Sequence, residues 1–237
     1  MKKVINHLLS HFGYKITKLP SLDKDISEGK YKWLQEFGIK SVLDVGGNNG
    51  EYVLFFNNIL PTSTIYSFEP IKDVFQQLQN NTGHLKNAIA FNFALGDFDG
   101  EADIYRNNFT PSSSFLKIAE SHINSFPQTA NTTLQKVQVK KIDSIFESLS
   151  LKKKVMLKLD VQGYELSTLK GAENALALVD LIITEVSYLK LYENQVMFNQ
   201  INNYLYEKGF VFAGNLNQLY DPIDNRILQA DAIYIKH

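Results

Sequence analysis

The sequence predicts an α/β domain with a doubly wound, mainly parallel sheet that ends in an antiparallel C-terminal hairpin. Three observations predict it. From residue 41 onwards, short β-rich runs alternate with stretches of helical periodicity, and strands separated by helices imply βαβ crossovers. The run Ser41-Val-Leu-Asp-Val-Gly46 is almost wholly apolar, as a strand covered on both faces must be. The last two β-rich runs are joined by a polar stretch without helical pattern, which only an antiparallel pair tolerates.

The elements follow in order. A helix ends at Gly38, a residue that commonly stops helices. Residues 41–46 form the first strand, and residues 50–60 form a helix stopped by Pro61. Residues 63–69 form the second strand, closed by Pro70. Val74, Phe75 and Leu78 share one face of a helix over residues 71–81. A third strand spans residues 88–95, and residues 101–106 suit another. Residues 107–133 are long, polar and irregular, the mark of a functional loop or lid. Alternation returns over residues 134–142, followed by an apolar strand at 155–161. Leu166, Leu169, Ala172 and Leu176 repeat at helical spacing, residues 181–186 form a strand, and Phe198, Ile201 and Leu205 mark a helix closed by Gly209. The hairpin strands are residues 210–213 and 232–235, with a polar loop between them.

Composition bounds the chemistry. The 237 residues are 44% hydrophobic and 21% charged, which excludes disorder as the main state. There is no cysteine, so disulfides, Cys-ligated zinc, iron–sulfur clusters and a thiol nucleophile are excluded. A net charge of −1 gives no electrostatic footprint for nucleic acid, and the run Lys152-Lys-Lys154 reads as a solvated face. No apolar run reaches the ~20 residues that span a bilayer. Residues 1–14 pair Lys2 and Lys3 with Val4, Ile5, Leu8, Leu9 and Phe12, the pattern of an amphipathic helix packed on the domain or on a second subunit of a homodimer. His7 and His11 interrupt it, and no small-residue cleavage site follows, so it is not read as a signal peptide. The expectation is a cytoplasmic protein with an N-terminal helical extension over residues 1–40 and one domain over residues 41–237.

In a doubly wound sheet the ligand sits beyond the carboxyl ends of the strands. The residues there are therefore inspected first. Asp44-Val-Gly-Gly-Asn-Asn-Gly50 leads from a strand through a glycine turn into a helix. Gly46, Gly47 and Gly50 allow close backbone approach, and the helix start offers unpaired N–H groups. Glu69 ends the next strand, where a carboxylate can accept bonds from both ribose hydroxyls of a nucleoside. Gly46 and Gly50 lie four apart, not the five of a dinucleotide fingerprint, and Glu51 would repel a pyrophosphate. The acidic loop, with Asp44, suits a cationic nucleoside such as S-adenosylmethionine. Ala94 and Asp97 border the same region and suit the adenine. A nicotinamide-dependent oxidoreductase is the rival enzyme, and a non-catalytic nucleoside-binding module is the non-enzyme alternative.

Asp160 and Glu185 end neighbouring predicted strands. Two carboxylates there can hold Mg²⁺ or supply a general base. The structural alternatives are a helix cap for Asp160 and a pairing of Glu185 with Lys158. Tyr164 and Glu165 open the following helix, where an acid is favoured by the helix dipole. His122, in the irregular segment, becomes a candidate base if that segment folds over an acceptor. Tyr188, Tyr192 and Tyr220 are candidates to line a carbohydrate site.

These segments together resemble the FkbM family of S-adenosylmethionine-dependent methyltransferases, of the Rossmann-like class I type. The resemblance runs from about Ser41 to Ile235. It rests on residues 44–52, Phe68-Glu-Pro70, Asn92-Phe-Ala-Leu-Gly-Asp97, Ser112-Ser-Ser114, Leu157-Lys-Leu-Asp-Val-Gln-Gly-Tyr-Glu165, Leu169-Lys-Gly-Ala172 and Ile183-Thr-Glu-Val186. The family usually has Glu where Gln162 stands. The resemblance implies O-methylation of a hydroxyl on a sugar, glycan or polyketide-like acceptor, with an amino-sugar N-methyltransferase as the alternative. Asp44, Gly46, Gly47, Asn48, Gly50, Tyr52, Glu69, Pro70, Ala94, Asp97 and Asp160 are the expected cofactor residues, with Asp160, Glu185 and His122 expected to act in catalysis.

Overall fold

The structure, a computed structural model, describes residues 29–237. The chain divides into two units, Met1–Phe37 and Gly38–His237. In the first, the described residues hold a turn and a short helix, α1 (Lys32–Phe37), with an i,i+4 ion pair between Lys32 and Glu36. The amphipathic pattern over residues 1–14 lies outside the described residues, as does most of the expected extension.

The second unit runs β1 (Ser41–Val45), α2 (Glu51–Ile59), β2 (Thr64–Phe68), α3 (Lys72–Thr82), β3 (Ala88–Phe91), β4 (Ala94–Leu95), β5 (Gly100–Asn107), α4 (Glu120–Ser125), β6 (Thr132–Lys140), α5 (Ile142–Ile145) and β7 (Val155–Leu159). It continues through α6 (Glu165–Lys170), β8 (Val179–Ser187), α7 (Phe198–Glu207), β9 (Phe210–Tyr220) and β10 (Ile227–Lys236). Seven strands form the main sheet in the order β3-β2-β1-β7-β8-β10-β9. The first five of these are parallel, and β10 runs antiparallel to both β8 and β9. This is the expected Rossmann-like α/β fold with an antiparallel C-terminal hairpin.

All five residues of β1 and all five of β7 are buried. The core packs Leu43, Val45, Leu157, Leu159 and Ile182 against Leu169, Leu176, Ile201 and Leu205. Burying one such aliphatic side chain contributes ~1.5–3 kcal/mol, so these strands anchor the domain. From β1 the chain moves outward to β2 and β3, then returns to lay β7 on the other side of β1. That reversal opens a crevice beyond the ends of β1 and β7.

Three expectations need correction. The third strand is not continuous: Ala88–Phe91 joins the main sheet, whereas Ala94–Leu95 pairs with β6 in a second sheet of order β4-β6-β5. Asn92 makes the break, its amide donating to the carbonyls of Glu69 and Pro70. The helix expected through Leu176 stops at Lys170, because Gly171 passes the Gly96 backbone so closely that a Cβ there would lie 1.8 Å from the Gly96 oxygen. The hairpin strands are much longer than expected and leave a short connection between them. β9 is an edge strand with most residues exposed, so its Asn215, Asn217 and Gln218 read as loop.

The irregular segment is shorter than expected, since β5 and β6 take its ends. Between them lie two 3₁₀ turns, Thr110–Ser112 and Pro127–Thr129, flanking α4. Ile118, Leu191, Tyr192 and Leu228 form a small core beneath it, which fixes the segment on the ends of β8 and β10.

Candidate active site

The glycine turn is built by backbone bonds. The N–H groups of Gly46 and Gly47 donate to the Phe68 carbonyl, and Gly50 donates to Gly47. Gly46 has φ +83°, and a Cβ there would lie 2.0 Å from the Asp160 carbonyl oxygen. Both conditions demand glycine. Gly46→Ala is expected to cost about 2–4 kcal/mol from the positive φ and the overpacking. It should also cut adenosyl-ligand affinity sharply, as read by thermal unfolding and calorimetric titration.

Glu69 sits just past β2 and is buried. Its two oxygens accept the N–H groups of Ile71 (2.8 Å) and Asn48 (3.0 Å), tying the glycine turn to the next loop. Burial pushes its carboxyl up to about 7, against the pull of those two N–H groups. A carboxylate has about four lone-pair sites, so each oxygen can accept a further hydroxyl. A cavity opens here, lined by Gly46, Asn48, Glu69, Pro70, Ala94 and Asp160. Phe115 and Ile104 give it an apolar wall.

Other expected cofactor residues lie behind that cavity. Asp44 is fully buried; Ser67 donates to its Oδ2 at 2.7 Å, and the Lys158 ammonium lies 3.5 Å from its Oδ1. Tyr52 lies over Lys158, with Nζ 3.9 Å from the ring centre, and its hydroxyl donates to Asp231. Burial and the neighbouring carboxylates raise the Tyr52 pKa far out of reach of ionisation. Gly47 packs on Ser67, and Gly50 on Leu78 and Thr82. Asp97 is exposed and accepts the Tyr164 hydroxyl. These residues shape the cradle and do not line it.

Lys158 was expected only as a pairing option for Glu185. It instead bridges Asp44 and Asp160, at 3.5 and 3.3 Å. Burial pulls the ammonium toward neutrality, but Asp160, Asp44 and Asp231 together outweigh it and leave its pKa above the ordinary value. A lone lysine inside the apolar run Val155–Leu159 was the available signal, since a buried ammonium must be paired.

A second cavity, of about 290 Å³, opens beside the first. Glu185 lies on its wall, between Gln162 and Gln229. Gln162 lines both cavities. Its amide donates to Asp160 at 2.6 Å and faces both Glu185 oxygens at 3.4 and 3.5 Å, while its Oε1 accepts the Tyr192 hydroxyl at 2.8 Å. Gln162 has φ +55°, a strained conformation for a residue with a Cβ. The Ser114 hydroxyl holds it by donating to its carbonyl. Gln229 donates to Glu185 at 2.6 Å. Sequence reading missed Gln229 and Asp231 because it began β10 too late.

Burial pushes Glu185 well above the usual carboxylate range, and the negative charges of Asp160, Glu165 and Asp231 add to it. Glu165 is buried and caps the loop before α6 by accepting the N–H groups of Val161 and Gly163; burial pushes it up to about 7. His122 is on the wall of the second cavity, its ring edge-on to Phe126 and Tyr192. Burial lowers its pKa, and its Nδ1 is buried with no partner. Tyr192 is fully buried and lines neither cavity, whereas Tyr188 and Tyr220 are exposed.

The Asp160–Glu185 pair does not fit Mg²⁺. Positively polarised N–H groups, one of them the Lys158 ammonium, point at its oxygens where a cation would have to approach, and among the described residues no group of three or more His, Cys, Asp or Glu is placed to hold a metal. A hard cation needs oxygen ligands free to face it.

A family model described as the methyltransferase FkbM domain matches residues 44–212, from the glycine turn to β9. The chain belongs to the FkbM methyltransferase family. Among the relatives of this FkbM domain is the 2-O-methyltransferase NoeI of Sinorhizobium fredii, 24% identical over 68% of this chain and 68% of that protein. Another is the hexuronic acid methyltransferase AglP of Haloferax volcanii, 28% identical over 60% of this chain and 54% of that protein. The match thus spans about half of the second relative. The fold is shared with the fibrillarin pre-rRNA processing protein of Methanococcus jannaschii, with a TM-score of 0.50, 9% identity, and coverage of 84% of this chain and 66% of that one. Membership implies S-adenosylmethionine as methyl donor, and Gly46, Asn48, Glu69, Pro70 and Ala94 line the cavity that would take it. No helix among the described residues is long and apolar enough to cross a membrane.

Proposed function

We propose that this FkbM domain is a cytoplasmic O-methyltransferase acting on a hydroxyl of a sugar, glycan or polyketide-like acceptor, with Glu185 receiving the hydroxyl proton. One observation carries the reading: two cavities share the Gln162 wall, with Asp160 facing one and Glu185 the other. When bound, S-adenosylmethionine supplies an electrophilic methyl group. Glu69 would hold its ribose, and the Gly46 turn would allow its close approach. Asp160 would stand near its positive charge. Placing the acceptor across Gln162 aligns two reactants at one shared wall, the main demand of a displacement reaction. Glu185 takes the proton as the O–H bond breaks, and burial, by raising its pKa above the usual carboxylate range, makes it a stronger base than a solvated carboxylate. The Gln162 amide fixes Asp160 and Glu185 relative to each other.

The test is calorimetric titration with S-adenosylmethionine, S-adenosylhomocysteine and NAD, followed by a glycoside acceptor screen. Binding of both adenosyl compounds and methylation of an alcohol support the reading. Binding without transfer to any acceptor supports a non-catalytic module, and transfer only to an amine supports N-methylation.

Glu69 gives this binding a pH signature. Its folded pKa of about 7 lies above the ordinary 4.5. Folding therefore takes up a proton between those values, and the unliganded domain loses stability as pH rises through that window. Ribose hydroxyls donate best to the ionised carboxylate, so adenosyl-ligand affinity should rise from pH 6 to pH 8, by up to about tenfold. In Glu69→Gln the affinity should be lower and flat with pH.

A further inference from the structure

We infer that the second cavity selects an uncharged, hydroxyl-bearing ring and discriminates against the same ring carrying a carboxylate. This rests on the reading of that cavity as the acceptor site.

The lining is unusual in what it combines. Gln128, Gln162 and Gln229 line the cavity, Gln162 and Gln229 with their N–H groups bonded to Asp160, Glu185 and Ser187, and Ser112 and Thr129 add hydroxyl-bearing residues. Phe109, Phe126 and Leu219 supply apolar surface, with Phe109 half exposed at the rim. Amides both donate and accept, as hydroxyls do, and aromatic faces cover the C–H face of a saturated ring. Lining of this kind reads polyhydroxylated, uncharged molecules.

No lysine or arginine lines the cavity. Carboxylates and phosphates are held by charge-assisted bonds, above all from the planar guanidinium of arginine. Lys158, which pairs with the neighbouring Asp160, is fully buried and already bridges Asp44 and Asp160. His122 is kept neutral by burial. Glu185 is the acidic group of the wall, and Asp231 lies opposite it across the β8–β10 pairing. A carboxylate on the acceptor ring would face these two acids, with no counter-ion in the lining to meet it. The inference parts this chain from AglP, whose name gives a hexuronic acid as its substrate.

The experiment uses the full chain. Matched methyl glycosides, glucoside with glucuronide and galactoside with galacturonide, are offered at equal concentration with S-adenosylmethionine, and S-adenosylhomocysteine formation is followed. Saturation-transfer NMR of the S-adenosylhomocysteine-loaded protein with the same four glycosides reads binding where turnover is slow. The neutral member of each pair is expected to win by about tenfold or more. Gln128 is exposed, and Gln128→Arg would place a guanidinium on the wall; it should narrow the gap by raising kcat/KM for the uronides. Uronides used or bound as well as their neutral partners by the wild type would overturn the inference and leave the methyltransferase reading intact. A preference for the matched amino sugars over both would overturn it as well. Failure of S-adenosylhomocysteine to bind at all would sink the underlying reading and the inference with it.

Discussion

Glu185→Gln is expected to lower kcat by about 10²–10⁴, the usual worth of a positioned general base. The amide keeps the size of the side chain and an acceptor for the Gln229 N–H, but it cannot take a proton. The cavity proposed for the cofactor lies across Gln162, so affinity for S-adenosylhomocysteine should stay within about threefold of the wild type. The pH profile separates a base from a merely structural carboxylate. Glu185 must be ionised to act, and burial with its acidic neighbours raises its pKa. Wild-type kcat should therefore climb with rising pH along a limb displaced above the usual carboxylate range, and the residual activity of Glu185→Gln should lack that limb. A variant that keeps both its rate and its acidic limb would remove Glu185 from the reaction.

The second large effect is on stability. Lys158→Met is expected to destabilise the domain by about 3–5 kcal/mol, the cost of removing one partner from a buried ion pair. Methionine fills much of the space, so loss of the charge is the main change. Asp44 would then face apolar surroundings with only Ser67 donating to it. At this chain length the loss corresponds to roughly 6–20 °C in the unfolding midpoint. Adding Asp44→Asn, which removes the stranded charge, should recover a good part of it. The double variant thus reports the coupling directly. If Lys158→Met alone unfolds within 2 °C or so of the wild type, the ammonium is not what holds these carboxylates.

The legible parts of this fold are those covered on both faces. β1, β7 and β8 stand out because their residues face helices on each side, which leaves apolar runs between breaks. β9 was illegible for the opposite reason: an exposed edge strand needs no apolar face, and its asparagines look like a loop. The second sheet was hidden because β4 is only two residues long and its partner β6 comes much later in the chain. The site divides in the same way. Gly46, Glu69, Asp160 and Glu185 stand at strand ends, where a doubly wound sheet opens its crevice, and all four line the two cavities. Asp44 and Tyr52 were picked out by the same rule, yet their side chains turn into the protein and build the Lys158 cluster. Only the packing of α2 against the sheet distinguishes the two directions. Gln162 owes its role to a positive φ that no spacing pattern announces.

The pairing of β1 with β7 also bears on how the protein is made. Ser41 lies opposite Val155, and β8 then extends the sheet from β7. During synthesis the glycine turn therefore leaves the ribosome well before the strand that closes the crevice over it. Contacts so far apart in sequence slow folding, because the loop must close before the contact can stabilise it. An N-terminal fragment ending before β7 carries Gly46 and Glu69 but no Asp160. Such a nascent chain has no cradle, and a ligand cannot stabilise a site that has not yet formed. A ligand of that crevice would thus stabilise the finished fold and could not template its formation.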